Sequence, residues 1–173
     1  MTAISTPSLG WPPASIEHSL RLVRNESAVD LAADPASVHA YVTRPMRWHE
    51  WHPATRSVDA MADRPLLRGD TLVEHISVAG RRFSAEWTVL EAVAPHLWVI
   101  ATDTAQGSAR IAYRITPLPL ADGRSGAHFH RTLECCSKPL LWRWLDPLMM
   151  RAVLAPQSRR ALANLKRVIE AQA

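Results

Sequence analysis

Between residues 54 and 136 the chain breaks into short runs of strand-forming residues divided by turn signals, and this rhythm limits the fold more than any other feature. The runs cover 55–61, 70–78, 82–92, 96–104, 109–117 and 127–136. The turns are Arg68-Gly69-Asp70, Ala79-Gly80, Ala94-Pro95, Gln106-Gly107 and the loop from Asp122 to Gly126. Most of these connections are too short for a parallel crossover, so the strands are expected to pair as antiparallel neighbours. An extended stretch over about 17–33 precedes them. In it His18, Leu20 and Leu22 alternate with Ser19, Arg21 and Val23. After a break at Asn25-Glu26, read as a bulge or a short turn, Val29, Leu31 and Ala33 alternate again.

Helix signals flank the strand region. Asp34-Pro35 supplies a capping side chain and a proline tolerated at the first helical position, and Val38, Tyr41 and Val42 then share one face. Pro45 ends that helix, and Met46 to Trp51 form a further turn stopped before Pro53. Pro139 to Leu145 read as a short lead-in; Asp146-Pro147 repeats the capping signal and opens a helix to about Glu170. Leu148, Ala152, Ala155, Leu162, Leu165, Val168 and Ile169 form its apolar stripe. Arg151, Arg159, Arg160, Lys166 and Arg167 lie mainly off that stripe. Such a helix is about 36 Å long, and Pro156 should bend it. Residues 1–15, with Thr6-Pro7-Ser8, Gly10 and Pro12-Pro13, read as a loose tail on which only Trp11 has reason to pack back.

A length of 173 residues with 47% hydrophobic content suits one domain, expected over 16–173. The fold class is therefore α+β: a curved seven-stranded antiparallel sheet around a long C-terminal helix, with two short helices after strand 1. A strongly curved sheet does not fit flush on a rod, and the gap is where an apolar ligand cavity would form.

The formal charge of +4 is carried mostly by arginines scattered along the chain, with pairs only at Arg81-Arg82 and Arg159-Arg160, so no nucleic-acid partner is expected. The two cysteines, Cys135 and Cys136, are adjacent; in a strand they point to opposite faces and are badly placed to bridge each other. With no disulfide framework, no signal-peptide pattern at the start and no apolar run of membrane-span length, the expectation is a cytoplasmic protein without stable membrane insertion.

Several segments together resemble the START-like, or helix-grip (SRPBCC), superfamily. Val29-Asp-Leu-Ala-Ala-Asp-Pro-Ala-Ser-Val38 is similar to its opening strand and helix. Arg44-Pro45-Met46-Arg47-Trp48 with Trp51-His52-Pro53 is similar to its second helical segment. Leu67-Arg68-Gly69-Asp70, Trp87-Thr88-Val89-Leu90-Glu91 and Ala163-Asn-Leu-Lys-Arg-Val-Ile-Glu170 also fit. The resemblance covers about 17–171 and is nearest to the polyketide cyclase/dehydratase and lipid-transport branch. It implies a helix-grip fold around a pocket for a hydrophobic molecule, and it leaves activity open.

Trp48 and Trp51, three apart, lie on one side of a helical turn, either stacking on a flat ligand or plugging the sheet as core. Trp87 and Trp98 sit in strands and either line the cavity or pack against the helix, and Tyr113 offers a phenol to orient a ligand. His128, His130, Thr132 and Glu134 share one face of the last strand, with Arg131 on the other. If the former face lines the cavity, His130 and Glu134 form an acid/base set suited to aldol cyclisation or dehydration. The apolar Phe129, Leu133 and Cys135 favour the opposite face as the buried one, and Arg131 then joins it, ready to pair with a carboxylate or a ligand's acid group. Glu74 and His75 pose the same parity question, and the pattern does not decide it.

His49-Glu50-Trp51-His52 falls one residue short of a zinc-protease spacing and is broken at once by Pro53, so no metal is expected. Gly123-Arg-Ser-Gly126 lacks the length and following helix of a phosphate loop, and no cofactor is implied. Neither cysteine has a supporting base. The favoured function is binding or transport of a hydrophobic or aromatic small molecule, with Trp48, Trp51, His75, Trp87, Trp98, Tyr113 and Arg131 as its contacts. The alternative is a cyclase or dehydratase acting through His130 and Glu134. A third possibility is a partner-binding role through an exposed apolar patch near Trp142, Trp144 and Leu145.

Overall fold

The computed structural model describes residues 22–78, 80–121 and 123–172, and only the backbone of residues 140–143. The expected N-terminal tail, Trp11 and the first residues of the opening strand lie outside the described residues. Seven strands form one curled antiparallel sheet: β1 (Val23–Leu31), β2 (Thr55–Ala60), β3 (Thr71–Val78), β4 (Arg81–Val93), β5 (Leu97–Asp103), β6 (Gly107–Pro119) and β7 (Ser125–Ser137). Their order is β1-β7-β6-β5-β4-β3-β2. Strands β2 to β7 therefore follow each other as simple neighbours, through short connections except for the ten-residue loop 61–70 between β2 and β3, and β1 closes the far edge beside β7.

Strand β1 runs without a break. Asn25 pairs with Leu133 and Glu26 with Thr132 in unshifted register, so the expected bulge at Asn25-Glu26 is absent. Polar Asn25 and Ser27 occupy inward positions and interrupt the apolar alternation without interrupting the strand. The real irregularities lie between Thr55 and Ser57 in β2 and between Val89 and Glu91 in β4. Each bends its strand locally and adds to the curl.

The short helices bridge the open side of the sheet. Helix α1 (Pro35–Val42) is capped by Asp34, whose side chain accepts from the amides of Ala36 and Ser37, both at 3.0 Å. A 3-10 turn (Pro45–Arg47) leads into α2 (Trp48–Trp51), where both tryptophans are buried.

The C-terminal helix starts earlier than the Asp146-Pro147 signal implies. Helix α3 (Leu140–Met149) begins directly after Pro139, and Pro147 lies inside it. Asp146 serves another purpose: its carboxylate accepts from the Ser137 amide at 2.8 Å and the Ser137 hydroxyl at 2.6 Å, pinning the helix to the end of β7. A π-helical turn (Met150–Leu154) joins α3 to α4 (Ala155–Glu170). That turn sits directly before Pro156, whose missing N–H and bulky ring cannot follow a regular ladder; widening the preceding turn accommodates both.

Helix α4 lays Ala161, Leu162, Leu165 and Ile169 onto the concave face of the sheet. Asn164 Nδ2 donates to the Trp51 carbonyl at 3.2 Å, and Lys166 Nζ donates to the Asp30 carbonyl at 2.9 Å. Glu170 accepts from the Ala32 amide at 3.2 Å. The helix thus runs from the end of the sheet where β7 finishes to the end where β1 finishes.

Candidate functional site

The register decides which side chains meet beneath the helix. Tyr113 pairs with Arg131 and Ile115 with Phe129 across β6 and β7; Trp98 pairs with Tyr113 across β5 and β6. On the other wing Leu72 pairs with Trp87 and Glu74 with Ala85. All of these side chains are buried and form one inward row.

Aromatic rings fill much of this space. Trp98 stacks on Tyr113 with centroids 5.4 Å apart, and Phe129 lies 5.1 Å from Tyr113. Trp51 meets Tyr113 at 6.4 Å, and Trp48 meets Trp98 edge-on at 6.0 Å. Trp48 Nε1 donates to the Val42 carbonyl at 2.8 Å and Trp98 Nε1 to the Leu66 carbonyl at 3.1 Å, so these two rings are fixed in place. Trp51 Nε1 is buried with no hydrogen-bond partner among the described residues.

Within the aromatic walls lies a set of polar groups. Glu74 is 5% exposed; it accepts from the Thr55 hydroxyl at 2.5 Å and from Trp87 Nε1 at 3.0 Å. Thr55 Oγ1 also lies 3.3 Å from His52 Nδ1. Arg131 is 3% exposed, donates from Nη1 to the Ser158 hydroxyl of α4 at 2.9 Å, and leaves its Nε without a partner among the described residues. The inward-pointing Asn25, Ser27 and Thr102 each hold a further buried polar atom with no such partner. Buried polar atoms are nearly always satisfied, so their gathering on one concave face is informative.

The electrostatics follow from burial. Desolvation raises the Glu74 pKa, against the opposing bonds from Thr55 and Trp87 and the attraction of Arg131. Desolvation pushes Tyr113 up to about 12, with the Arg131 cation pulling the other way and the Glu74 charge adding to the rise. His52 is lowered to about 3 by desolvation and by the Arg131 charge, so its ring is neutral. Arg131 is thus the fixed charge of the site, and Glu74, Tyr113 and His52 supply groups biased toward neutrality. No ion pair joins Arg131 to Glu74 among the described residues, although each acts electrostatically on the same neighbours. Burial and the neighbouring Asp146 charge push the Cys135 thiol up to about 12, which leaves no ready thiolate.

The structure brings Trp48, Trp51, Trp87, Trp98, Tyr113 and Arg131 together in this interior. It does not bring His75 there. His75 lies on the outer face, with Nε2 2.9 Å from Asp59 and Nδ1 2.8 Å from the Ser84 hydroxyl, because its neighbour Glu74 takes the inward position. His130 and Glu134 also lie on the outer face, so they do not form an interior acid/base set. Glu134 pairs with Arg110 at 3.3 Å, and His130 Nε2 lies 4.0 Å from Glu26. His128 is beside Asp30 at 2.6 Å. The parity of Phe129, Leu133 and Cys135 is the physical reason: that row is inward and carries Arg131 with it.

Glu74, Thr55, His52 and Ser158 are the polar members that pattern reading did not select. Leu72, Ile76 and Val78 on the side of Glu74 were its available signal. Nothing local marks Ser158, whose role depends on where α4 crosses β7. Among the described residues no cluster of histidine, cysteine and carboxylate side chains is arranged to hold a metal ion.

Comparison with known proteins places this geometry in a wider group. No curated protein matches the chain in sequence. A START superfamily protein from Mycobacterium smegmatis superposes with a TM-score of 0.68 at 16% identity, covering 87% of this chain and 99% of its own. The Zhui aromatase/cyclase from Streptomyces sp. R1128 gives a TM-score of 0.68 at 15% identity, covering 87% of this chain and 94% of its own. The di-domain aromatase/cyclase BexL, from the BE-7585A biosynthetic pathway, gives 0.67 at 17% identity over 90% of this chain; the match spans about half of BexL, 52%. At such identities these likenesses concern the fold. The sequence itself matches the family model described as polyketide cyclase / dehydrase and lipid transport over residues 23–170, and the chain belongs to that family.

Proposed function

We propose that the space between the sheet and the C-terminal helix binds a flat, mainly apolar small molecule that carries a carbonyl or acidic oxygen. Trp48, Trp51, Trp87, Trp98 and Tyr113 contribute the aromatic surface, and Arg131 anchors the oxygen. The observation that carries this reading is Arg131 itself: a guanidinium 3% exposed, held by the Ser158 hydroxyl and beside the Tyr113 phenol, with Nε unpartnered and no carboxylate ion pair among the described residues. A buried charge costs several kcal/mol unless it is paired, roughly, and a ligand oxygen is the partner that suits a guanidinium best.

His52 supports the same reading. Its ring is depressed to about 3 by desolvation, yet the residue keeps accessible surface. The neutral ring and Glu74 would then meet a ligand's hydroxyl groups, while the aromatic walls take its flat faces. Catalysis through His130 and Glu134 has no support from their outward placement.

The test is a titration of the full chain with aromatic carboxylates, the matching unsubstituted arenes, fatty acids and a sterol, followed by native mass spectrometry and tryptophan fluorescence. Oxygen-bearing aromatics should bind best. Arg131→Met should weaken them by about 10- to 100-fold, the worth of one charged hydrogen bond, while leaving the unsubstituted arene unaffected. Absence of binding across the panel, or unchanged affinity in Arg131→Met, would overturn the proposal.

A further inference from the structure

The end of the sheet where β7 finishes carries a set of large apolar side chains that the interior does not use. On α3, Trp144 is 67% exposed, Leu148 63% and Leu145 37%. The β3–β4 hairpin projects past the same end of the sheet: Val78 pairs with Arg81 at its tip, and the register that sets Thr88 level with Ala101, Arg110 and Glu134 points that tip toward the end where β7 finishes. There Phe83 belongs to the inward row with Ala85 and Trp87, yet it is 52% exposed because the hairpin runs beyond the cover of the helix. Arg81 and Arg82 flank it, both exposed.

Charge at this end is mainly basic. Arg81 and Arg82 on the hairpin and Lys138, Arg143 and Arg151 after β7 outnumber three acids: Glu86, Asp103, which pairs with Lys138 at 2.9 Å, and Asp146 of α3. Asp146 is 9% exposed and turned onto Ser137, so α3 shows no carboxylate to solvent. Trp144, Leu148 and Arg151 follow at i, i+4 and i+7, so a cation stands at the end of the exposed apolar stripe.

We infer that this end docks onto the surface of an anionic lipid bilayer. The large apolar side chains stand on two separate projecting elements, which a deformable interface accommodates more readily than a shaped protein groove does. Tryptophan favours the level of the lipid headgroups, and arginines beside it meet phosphates. Trp144, Leu148 and Phe83 enter the headgroup boundary; Arg151 and the hairpin arginines stay at the charged layer. No helix among the described residues is long and apolar enough to cross a membrane, so the contact is peripheral. It stands on different residues from the interior site and does not depend on a ligand being bound.

The experiment is flotation of the full chain with vesicles of phosphatidylcholine alone and of phosphatidylcholine containing phosphatidylglycerol. Binding should require phosphatidylglycerol and weaken as salt rises. Leu148→Ser should lower the partition coefficient about tenfold and Trp144→Ser/Leu148→Ser about a hundredfold, each with unchanged circular dichroism. Met61→Ser, at the opposite end of the sheet and 92% exposed, should bind as the wild type does. Arg131→Met should also bind vesicles normally, which separates this surface from the ligand site. Failure of the wild type to float, or equal losses in Met61→Ser, would overturn the inference. So would a concentration-dependent dimer abolished by Leu148→Ser without any vesicle binding, which would assign the patch to a second copy of the chain.

Discussion

The two faces of the sheet treat charge in opposite ways. On the convex face charged and polar groups are paired at short range: Arg110 with Glu134 at 3.3 Å, the His75 ring with Asp59 at 2.9 Å, the His128 ring with Asp30 at 2.6 Å, and Arg24 with Glu26. On the concave face Arg131 and Glu74 are both nearly solvent-free, and each is held by neutral hydroxyl or indole groups. Water screens the outer pairs, so they are cheap to form and of little value individually. Inside, an unmatched charge is expensive and persists only where something else favours it. The difference separates a face whose charges are satisfied by one another from one whose charges are not.

The strongest way to break this contrast is to empty the interior of its apolar contacts. Phe129 is fully buried and sits 5.1 Å from Tyr113. Phe129→Ala should cost about 3–5 kcal/mol in urea-induced unfolding. A loss under about 1 kcal/mol would mean that the region is already loosely packed. Arg131→Met comes next. If Arg131 had a protein carboxylate as partner, removing it would cost about 3–5 kcal/mol. Held among the described residues by neutral hydroxyl groups, those of Ser158 and Tyr113, it should instead change stability by about 1 kcal/mol or less, and an increase would agree with a charge kept for binding.

Proton linkage gives a smaller and more specific signature. The His52 pKa is lowered from 6.5 to about 3, so the folded ring stays neutral while the unfolded ring takes up a proton. Stability should therefore fall as pH drops from 6.5 toward 3, and His52→Gln should flatten that limb. Glu74 has the opposite sign. Its pKa is raised above 4.5, so as pH climbs through 4.5 the unfolded carboxyl ionises first and stability is lost up to the folded pKa. Glu74→Gln should remove that loss. Melting temperature against pH for both variants checks the pair; identical profiles for wild type and variants would mean that neither group is desolvated.

Much of the fold was legible because antiparallel strands with short turns leave marks residue by residue. The Asp34 cap was readable for the same reason: one side chain and two amides within three residues settle it. Asp146 shows the limit. Its Asp-Pro pair carries the same local signature, yet its oxygens bond Ser137 nine residues back, and the helix starts at Leu140. Asn25 failed as a break for a related reason, since pairing with Leu133 overrides the local interruption. For the site, parity on β7 could be argued from Phe129 and Leu133, which also carry Arg131 inward. On β3 the rows containing Glu74 and His75 both held apolar residues, and only pairing with β2 and β4 separates them. Ser158 and His52 depend on helix placement over the sheet, which no local pattern encodes.

The smallest expected effect lies on the convex face and tests whether its charges are merely structural. Arg110 and Glu134 face each other across β6 and β7, and Glu134 also lies 3.9 Å from Arg24. A double-mutant cycle with Arg110→Ala and Glu134→Ala should give a coupling of about 0.2–1 kcal/mol, shrinking in high salt. Neither change should alter ligand affinity, because the intervening backbone and the inward row separate these side chains from Arg131. His130→Ala, on the same outer row, should likewise leave binding unchanged. A coupling well above 1 kcal/mol would show that Glu134, whose side chain is 14% exposed, is desolvated like the interior charges. A loss of ligand affinity in His130→Ala or Glu134→Ala would be the more serious result. It would mean that the two faces are not independent, and that the outer histidine and carboxylate act on the interior through Arg131's own strand.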